Sequence, residues 1–424
     1  MTILNETKLS SELKRKLTGA LLRYYREDEN MTINFVAESL GINKGYLSEI
    51  ERGRKEPSSQ MLEKLTNFMD IRFNTDESLY FNLKDKFQYL YQLYVDLKEE
   101  EEKALYQEIL KHSSMYENSY GFFYYKLIEY MYCVHFKKTI AEEKILNYYL
   151  MFKKILHLFT NDEIGIFYDV FAAYYIGKNN TTKTLEQLKI AEHYLLTCTS
   201  KSLKAMVLYH HISAYENRNK AAKALIYCDE ASKLFMETMN FSRIIQIALR
   251  KAACYSCMRL YSEAEELLLD TIEKMKQNPS RFIAVAYNNL SWNALVNKEY
   301  DKALEYAHLA IEHDTRYYEI PLFISYSLYK LKRYEECKQY IASTLDTCEL
   351  RVEIKIFLAM LEHALANDHQ SYIRYALNYY ELMKKDNNQE MSLFILEIIC
   401  DYYRKRNNFK ELCYYQEQEI NLLT

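Results

Sequence analysis

The stretch MTINFVAESLGINKGYLSEIERG, residues 31–53, decides how the rest of the chain is read. In its first half Val36, Ala37 and Leu40 fall at i, i+1 and i+4, on one apolar helical face. Gly41 follows, where a helix C-terminus takes a left-handed residue without a Cβ. Ile42 is a small plug, and Asn43 is placed to cap a second helix by accepting a backbone N–H. That helix turns Leu47 and Ile50 inward, leaves Lys44, Gly45, Ser48 and Glu49 on the opposite side, and ends at Arg52-Gly53. Two helices of about eight residues around a glycine turn predict a helix-turn-helix, whose second helix fits a major groove.

Working outward, 424 residues are too many for one compact core, so several domains or a repeat array are expected. The chain has 7 glycines and 3 prolines, four of the glycines lie before residue 54, and none follows Gly177. Hairpins, phosphate-binding loops and strand-to-helix turns depend on glycine, so this scarcity predicts an all-α chain and excludes Rossmann and P-loop readings. The net charge is −4, and residues 1–70 hold eleven Lys plus Arg against eleven Asp plus Glu. DNA affinity must therefore come from placement rather than bulk charge. Nine irregularly spaced cysteines, with no export signal in MTILNETKLSSELKRK and no apolar run of membrane-spanning length, predict a cytoplasmic protein with reduced thiols and no membrane contact.

Upstream, residues 9–29 read as a first helix with Leu13, Leu17, Ala20, Leu21 and Tyr24 as its apolar stripe, ended by Asn30. Downstream, Pro57 stops the preceding structure, and Ser58 or Ser59 caps a helix carrying Met61, Leu62, Leu65, Phe68 and Met69. The polar segment 72–78 is the expected domain boundary, followed by a long helical stretch to about residue 112. Its acidic run Glu99–Glu102 reads as a solvated face. From about residue 120 a repeat takes over: YSEAEELL (261–268), YDKALEYA (300–307) and YEECKQYI (334–341) place Ala264, Ala303 and Cys337 39 and 34 residues apart, with Ala224 another 40 upstream. FKELCYYQ (409–416) carries the same pattern near the C-terminus.

Residues 31–58 resemble the lambda-repressor-like, XRE-type DNA-binding domain, with Ala37, Gly41, Ser48, Glu51, Gly53 and Pro57 on motif positions. The family often has a phosphate-contacting Gln where this chain has Ile33. The resemblance implies that Arg26 pairs with Glu51, a structural brace rather than a base reader. The repeat resembles the tetratricopeptide repeat, best in 287–314, where Leu290, Tyr300, Ala303 and Ala310 fall on motif positions. Ala252, Ser291 or Ser325 stands where the first helix of a unit usually has glycine. Each unit must stack to bury its apolar face, and stacking makes a concave groove.

For DNA, the exposed start of the recognition helix offers Asn43, Lys44, Gly45 and Tyr46, then Ser48 and Glu49 one turn on. Lys44 suits guanine O6/N7 and Glu49 a cytosine amine, each worth about 1–3 kcal/mol of discrimination. Arg52, Arg54 and Lys55 cluster where the resemblance puts phosphate contacts, which fix register without reading sequence. In the repeats, the tetratricopeptide resemblance turns first-helix positions four apart toward the groove: Tyr209 and Ser213, Asn288 and Trp292, Leu322 and Tyr326. Asparagine amides suit the backbone of an extended peptide, so Asn288 and Asn289 beside the only tryptophan are the main candidates. The competing expectation is that Trp292 packs between repeats and the asparagines bond locally. Cys254 and Cys257, a lone CxxC, read as core filler. The adjacent His210 and His211 point to different helix faces and cannot chelate one metal. No catalytic constellation is present, so neither an enzyme nor a cofactor is expected.

An XRE-type domain followed by divergent tetratricopeptide-like units resembles the Rap/Rgg/NprR/PlcR/PrgX (RRNPP) peptide-pheromone receptors. The resemblance implies a five-helix DNA-binding domain over 1–71, a linker helix region over 72–112 and a right-handed TPR-like solenoid over 113–424 for peptide sensing and dimerisation. It implies a quorum-sensing transcriptional regulator, a homodimer like its family, that binds operator DNA and is switched by a short signalling peptide. Two alternatives stay open: a repeat domain that docks a protein partner such as a response regulator, and a peptide-independent autoregulatory repressor.

Overall fold

The structure is a computed structural model that describes residues 8–136, 141–216, 218–277, 282–314, 319–347, 349–386 and 388–423. These residues form an all-α fold of twenty-three α-helices, with one isolated bridge between Asn74 and Ser119 as the extended pairing among them. The chain divides into two compact units, Met1–Ala214 with Lys233–Arg243, and Tyr215–Ser232 with Ile244–Thr424.

The first unit opens with α1 (Ser11–Asp28), α2 (Ile33–Ser39), α3 (Lys44–Glu51) and α4 (Ser59–Phe68). Each starts on a side-chain cap: Ser10, Thr32, Asn43 and Ser58 accept from backbone N–H groups two or three residues on. Such caps contribute roughly 1 kcal/mol apiece, which matters for helices as short as α2 and α3. Leu22, Val36, Ala37, Leu47, Ile50 and Leu65 form their common core. Four helices end by residue 68, and a fifth, α5 (Ser78–Val95), follows. The helical stretch expected to about residue 112 consists of two helices. Leu97 takes a left-handed conformation (φ 60°), which ends α5 and starts α6 (Glu99–Lys111). Then come α7 (Ser113–Tyr116), α8 (Phe122–Phe136) and α9 (Glu142–Lys153).

Contacts continue across the polar segment 72–78. Tyr24 and Tyr25 lie 4.8 and 5.8 Å from Phe122, the Tyr25 hydroxyl donates to the Glu117 carbonyl (2.7 Å), and Lys154 pairs with Glu27 (2.6 Å). One side of α1 therefore carries the helix-turn-helix and the other packs on α8.

After a short 3-10 turn at Leu156–Leu158, the described residues from Asn161 on form seven helix pairs. They are α10 (Asn161–Gly177) with α11 (Thr181–Leu195), α12 (Lys201–Glu216) with α13 (Ala221–Glu237), and α14 (Phe241–Cys257) with α15 (Tyr261–Gln277). Next are α16 (Ile283–Val296) with α17 (Tyr300–His313) and α18 (Ile320–Lys330) with α19 (Tyr334–Thr347). The last are α20 (Val352–Leu365) with α21 (His369–Lys385) and α22 (Gln389–Lys405) with α23 (Phe409–Leu423). One turn joins the partners of every pair. Asn179, Asn219, Arg259, Lys298, Lys332, Asn367 and Asn407 all have φ between 53° and 66°. The residue after each donates its N–H five residues back, as Asn180 does to Tyr175 (3.0 Å) and Glu299 to Ala294 (2.8 Å). This Schellman closure normally takes glycine. Here asparagine, arginine and lysine stand in, and the repeat keeps its turns while the chain stays glycine-poor.

Within pairs of the second unit, small residues face each other. Ser291 donates to the Ala303 carbonyl (2.8 Å), the Cys337 thiol faces the Ser325 carbonyl (3.2 Å), and Ala224, Ala264, Ala303 and Cys337 are fully buried. The first-helix positions that lack glycine thus still allow close approach.

Candidate functional site

The recognition helix α3 is fixed from beneath. Arg26 reaches from α1 and grips Glu51 through two parallel bonds, Nε–Oε1 at 2.6 Å and Nη2–Oε2 at 2.9 Å, and its Nη1 donates to the Met31 carbonyl (2.7 Å). The Glu51 hydrogen bond raises the Arg26 pKa further, so this buried guanidinium stays charged. Arg15 Nε donates to the Gly53 carbonyl (2.7 Å). Gly19 was not singled out in the sequence, yet it is where α1 and α3 touch: a Cβ there would overlap the Ile50 carbonyl oxygen and lie 3.0 Å from the Gly53 nitrogen. Gly53 itself holds φ +65°, and a Cβ on it would meet the Lys16 backbone at 2.7 Å.

On the outer side, Asn43 caps α3 by accepting from Gly45 N–H at 2.7 Å. Lys44, Gly45, Arg52, Arg54 and Lys55 are exposed, and Tyr46, Ser48 and Glu49 are half-buried. Lys55 lies 4.7 Å over the Tyr46 ring, and Arg54 approaches Glu49 at 3.4 Å. The nine residues read from the sequence as DNA-facing thus share α3 and the loop just past it. The arrangement presents four cations, Lys44, Arg52, Arg54 and Lys55, around a short helix. Such a surface can bind phosphates through its rim and base edges through Lys44.

The candidate ligand residues divide between the units. Tyr209 and Ser213 lie on α12 in the first unit, both buried, with the Arg243 guanidinium 5.0 Å over the Tyr209 ring. Tyr326 packs in the second unit's core, 5.1 Å from Phe394 and 5.9 Å from Phe357. Asn288, Asn289 and Trp292 do come together, lining a cavity of about 210 Å³ in the second unit. Trp292 is nine-tenths buried between Phe323 (5.6 Å) and Phe394 (5.4 Å), and its indole N–H donates to Glu390 at the start of α22. Glu390 and Glu319, absent from the sequence candidates, line the same cavity with Ser256 and Asn293. Much of the Glu390 residue surface is open, but its carboxyl is set into the wall; desolvation there raises its pKa, which the Trp292 and Cys257 hydrogen bonds oppose. The Cys257 thiol is pushed up to about 12, by desolvation and then by the Glu390 charge, so it is a protonated donor rather than a nucleophile.

A buried polar chain runs through the first unit. Tyr91 donates to Asp169 (2.9 Å), His210 Nδ1 bonds the other Asp169 oxygen (2.7 Å), and the Tyr94 hydroxyl meets His210 Nε2 (3.1 Å). His210 and its neighbour His211 turn to different carboxylates, Asp169 and Glu192. No cluster of metal-ligating side chains and no helix long and apolar enough to cross a membrane occurs among the described residues.

Together the fold and surfaces define a helix-turn-helix protein with a tetratricopeptide-like helical array. Residues 22–74 match the family described as Helix-turn-helix (HTH_3). The transcriptional regulator ClgR of Mycobacterium tuberculosis is 42% identical over 59 residues, 14% of this chain, which spans 53% of that relative's length. The regulatory protein RapD of Bacillus subtilis is 21% identical over 273 residues, 60% of this chain and 75% of RapD. The apo quorum sensor NprR from B. thuringiensis superposes with a TM-score of 0.62 at 16% identity, over 81% of this chain and 99% of NprR. NprR in complex with its cognate peptide NprX gives 0.55 at 16% identity, over 81% and 100%. The N-terminal domain belongs to the helix-turn-helix family, and the chain's helical architecture is that of the Rap and NprR proteins.

Proposed function

We propose that this protein is a cytoplasmic, homodimeric transcriptional regulator that binds promoter DNA through α3 and is switched by a short signalling peptide held in the second unit. The observation that carries the reading is the pairing of a braced, cation-rimmed recognition helix with a cavity lined by asparagine amides and the chain's one tryptophan. An amide supplies a donor and an acceptor at once, which suits a peptide backbone, and the indole supplies an apolar wall. Support also comes from the fold shared with NprR, which has been seen with its cognate peptide.

Replacing Lys44 and Arg54 together with alanine is expected to lower operator affinity by one to two orders of magnitude, roughly 1–3 kcal/mol, with helical content unchanged. Undiminished specific binding in a mobility-shift titration would remove α3 as the reading helix. Replacing Asn288 and Asn289 with alanine is expected to abolish the response to peptide while operator affinity in its absence stays at the wild-type value. The deciding experiment compares binding to the protein's own promoter with and without size-filtered culture supernatant. A shift in affinity supports the switch; tight binding with no shift favours repeats that dock a protein such as a response regulator, or a repressor that senses nothing.

A further inference from the structure

We propose that the Glu390 end of the second unit's cavity is a receptor for a cationic group, an ammonium or guanidinium, carried by the ligand. The inference rests on the peptide reading above and narrows its ligand to a peptide that presents a positive charge beside Trp292.

Four observations converge. The cavity is lined by two carboxylates, Glu319 and Glu390, and by no lysine, arginine or histidine among the described residues. Glu390 is bonded only to neutral donors there, the Trp292 indole N–H and the Cys257 thiol. Arg250, which is not among the lining residues, pairs with Glu216. Finally, the same wall holds acceptors with no hydrogen-bond partner among the described residues: Ser256 Oγ, Asn288 Oδ1 and Asn293 Oδ1, with Ser256 and Asn293 only 7% and 4% exposed.

Buried polar atoms are normally satisfied, and a carboxylate withdrawn from water normally has a counter-charge. A site whose unpartnered buried atoms are oxygens, beside two carboxylates and no positive charge, is complementary to a group that is all donor and cationic. An ammonium has three N–H donors and a guanidinium five, and neither accepts. Trp292 adds a π-face against which a cation or its alkyl stem packs. The size agrees: about 210 Å³ is below the roughly 300–1,000 Å³ usual for a drug-sized ligand, so it holds one side chain or one chain terminus rather than a whole peptide.

Because Trp292 is the only tryptophan, its emission in the full-length protein reports on this cavity alone. The probes are butylammonium, acetyl-Ala-Lys-Ala-Ala-Ala-amide, its norleucine counterpart, and pentaalanine amide with a free N-terminus. The lysine peptide, the free-amine peptide or both are expected to shift Trp292 emission saturably, at concentrations about tenfold or more below the norleucine peptide. Which of the two does so identifies a side chain or the N-terminus as the source of the charge. Glu390→Gln still offers an oxygen to the indole N–H and is expected to weaken the response by about tenfold with an unaltered circular dichroism spectrum. If that variant does not fold, Glu319→Gln serves, with a loss of a few-fold supporting the site and unchanged affinity overturning it. Equal responses to lysine and norleucine peptides, undiminished by Glu390→Gln, would overturn the cation receptor and leave the peptide reading intact. A butylammonium response lost in Glu390→Gln, without any response to the peptides, would support the receptor and count against a peptide ligand. No saturable response to any probe overturns the proposal.

Discussion

An Asp169→Ala protein is expected to lose roughly 3–5 kcal/mol of stability in its first unit, the cost of stranding the partners of a buried ionic group. Asp169 is fully buried in α10 and holds two side chains from other helices, the Tyr91 hydroxyl of α5 and the His210 ring of α12. Asp169 Oδ1 pairs with His210 Nδ1, and the other ring nitrogen, Nε2, lies 3.1 Å from the Tyr94 hydroxyl. One carboxylate thus sets the orientation of three rings. Burial, then the Asp169 charge, pushes the Tyr91 pKa well above its ordinary value, so Tyr91 remains a donor. Alanine leaves two donors unsatisfied, whereas Asp169→Asn keeps the volume and an acceptor oxygen and is expected to cost less. Urea titration followed by far-ultraviolet circular dichroism checks both; an alanine variant with the wild-type midpoint would show that the chain of rings adds nothing to stability.

The second large effect is expected at Gly19. Alanine there forces its methyl into the Ile50 carbonyl, which belongs to helix backbone and has no rotamer by which to escape. Overpacking typically costs about 1–3 kcal/mol, and the upper end applies where backbone must move. The recognition helix is then expected to tilt off α1, so specific operator binding falls even where the domain stays folded. Thermal melting together with operator titration tests this. Wild-type values in both would mean that α1 and α3 are not in contact at Gly19 in solution.

Much of this architecture is legible in the residues. The left-handed Gly41, the Asn43 cap and the Arg26–Glu51 brace each follow from a local rule or a motif position, and the structure contains all three. The 34–40-residue spacing of Ala224, Ala264, Ala303 and Cys337 marks second helices whose small residues are indeed buried. What stayed hidden is what depends on distant pairings. Glu390 lies 98 residues from the Trp292 it bonds, and no periodicity links them. Asp169 sits in a helix with apolar residues on every side, where a single carboxylate gives no sign of its partners. The break at Leu97 has no signal in the sequence, because a left-handed leucine carries no glycine or proline mark. Tyr209 and Ser213 occupy the expected helical stripe, but they are buried in the first unit with Arg243, while Asn288 and Trp292 belong to the second.

The seven turns that join the helix pairs bear on how a ligand would register. A residue with a Cβ in the left-handed region costs about 1–2 kcal/mol, somewhat less for asparagine. Arg259, Lys298 and Lys332, in three consecutive pairs around the cavity-lining helices α14, α16 and α18, carry that cost without the relief an asparagine gives. Glycine at those joints would remove that steric cost. As it stands, the segment that lines the cavity carries the strain of those joints, and the free energy of occupancy offsets it. Occupancy of such a segment is legible as a thermal upshift, in proportion to the logarithm of ligand concentration over its dissociation constant.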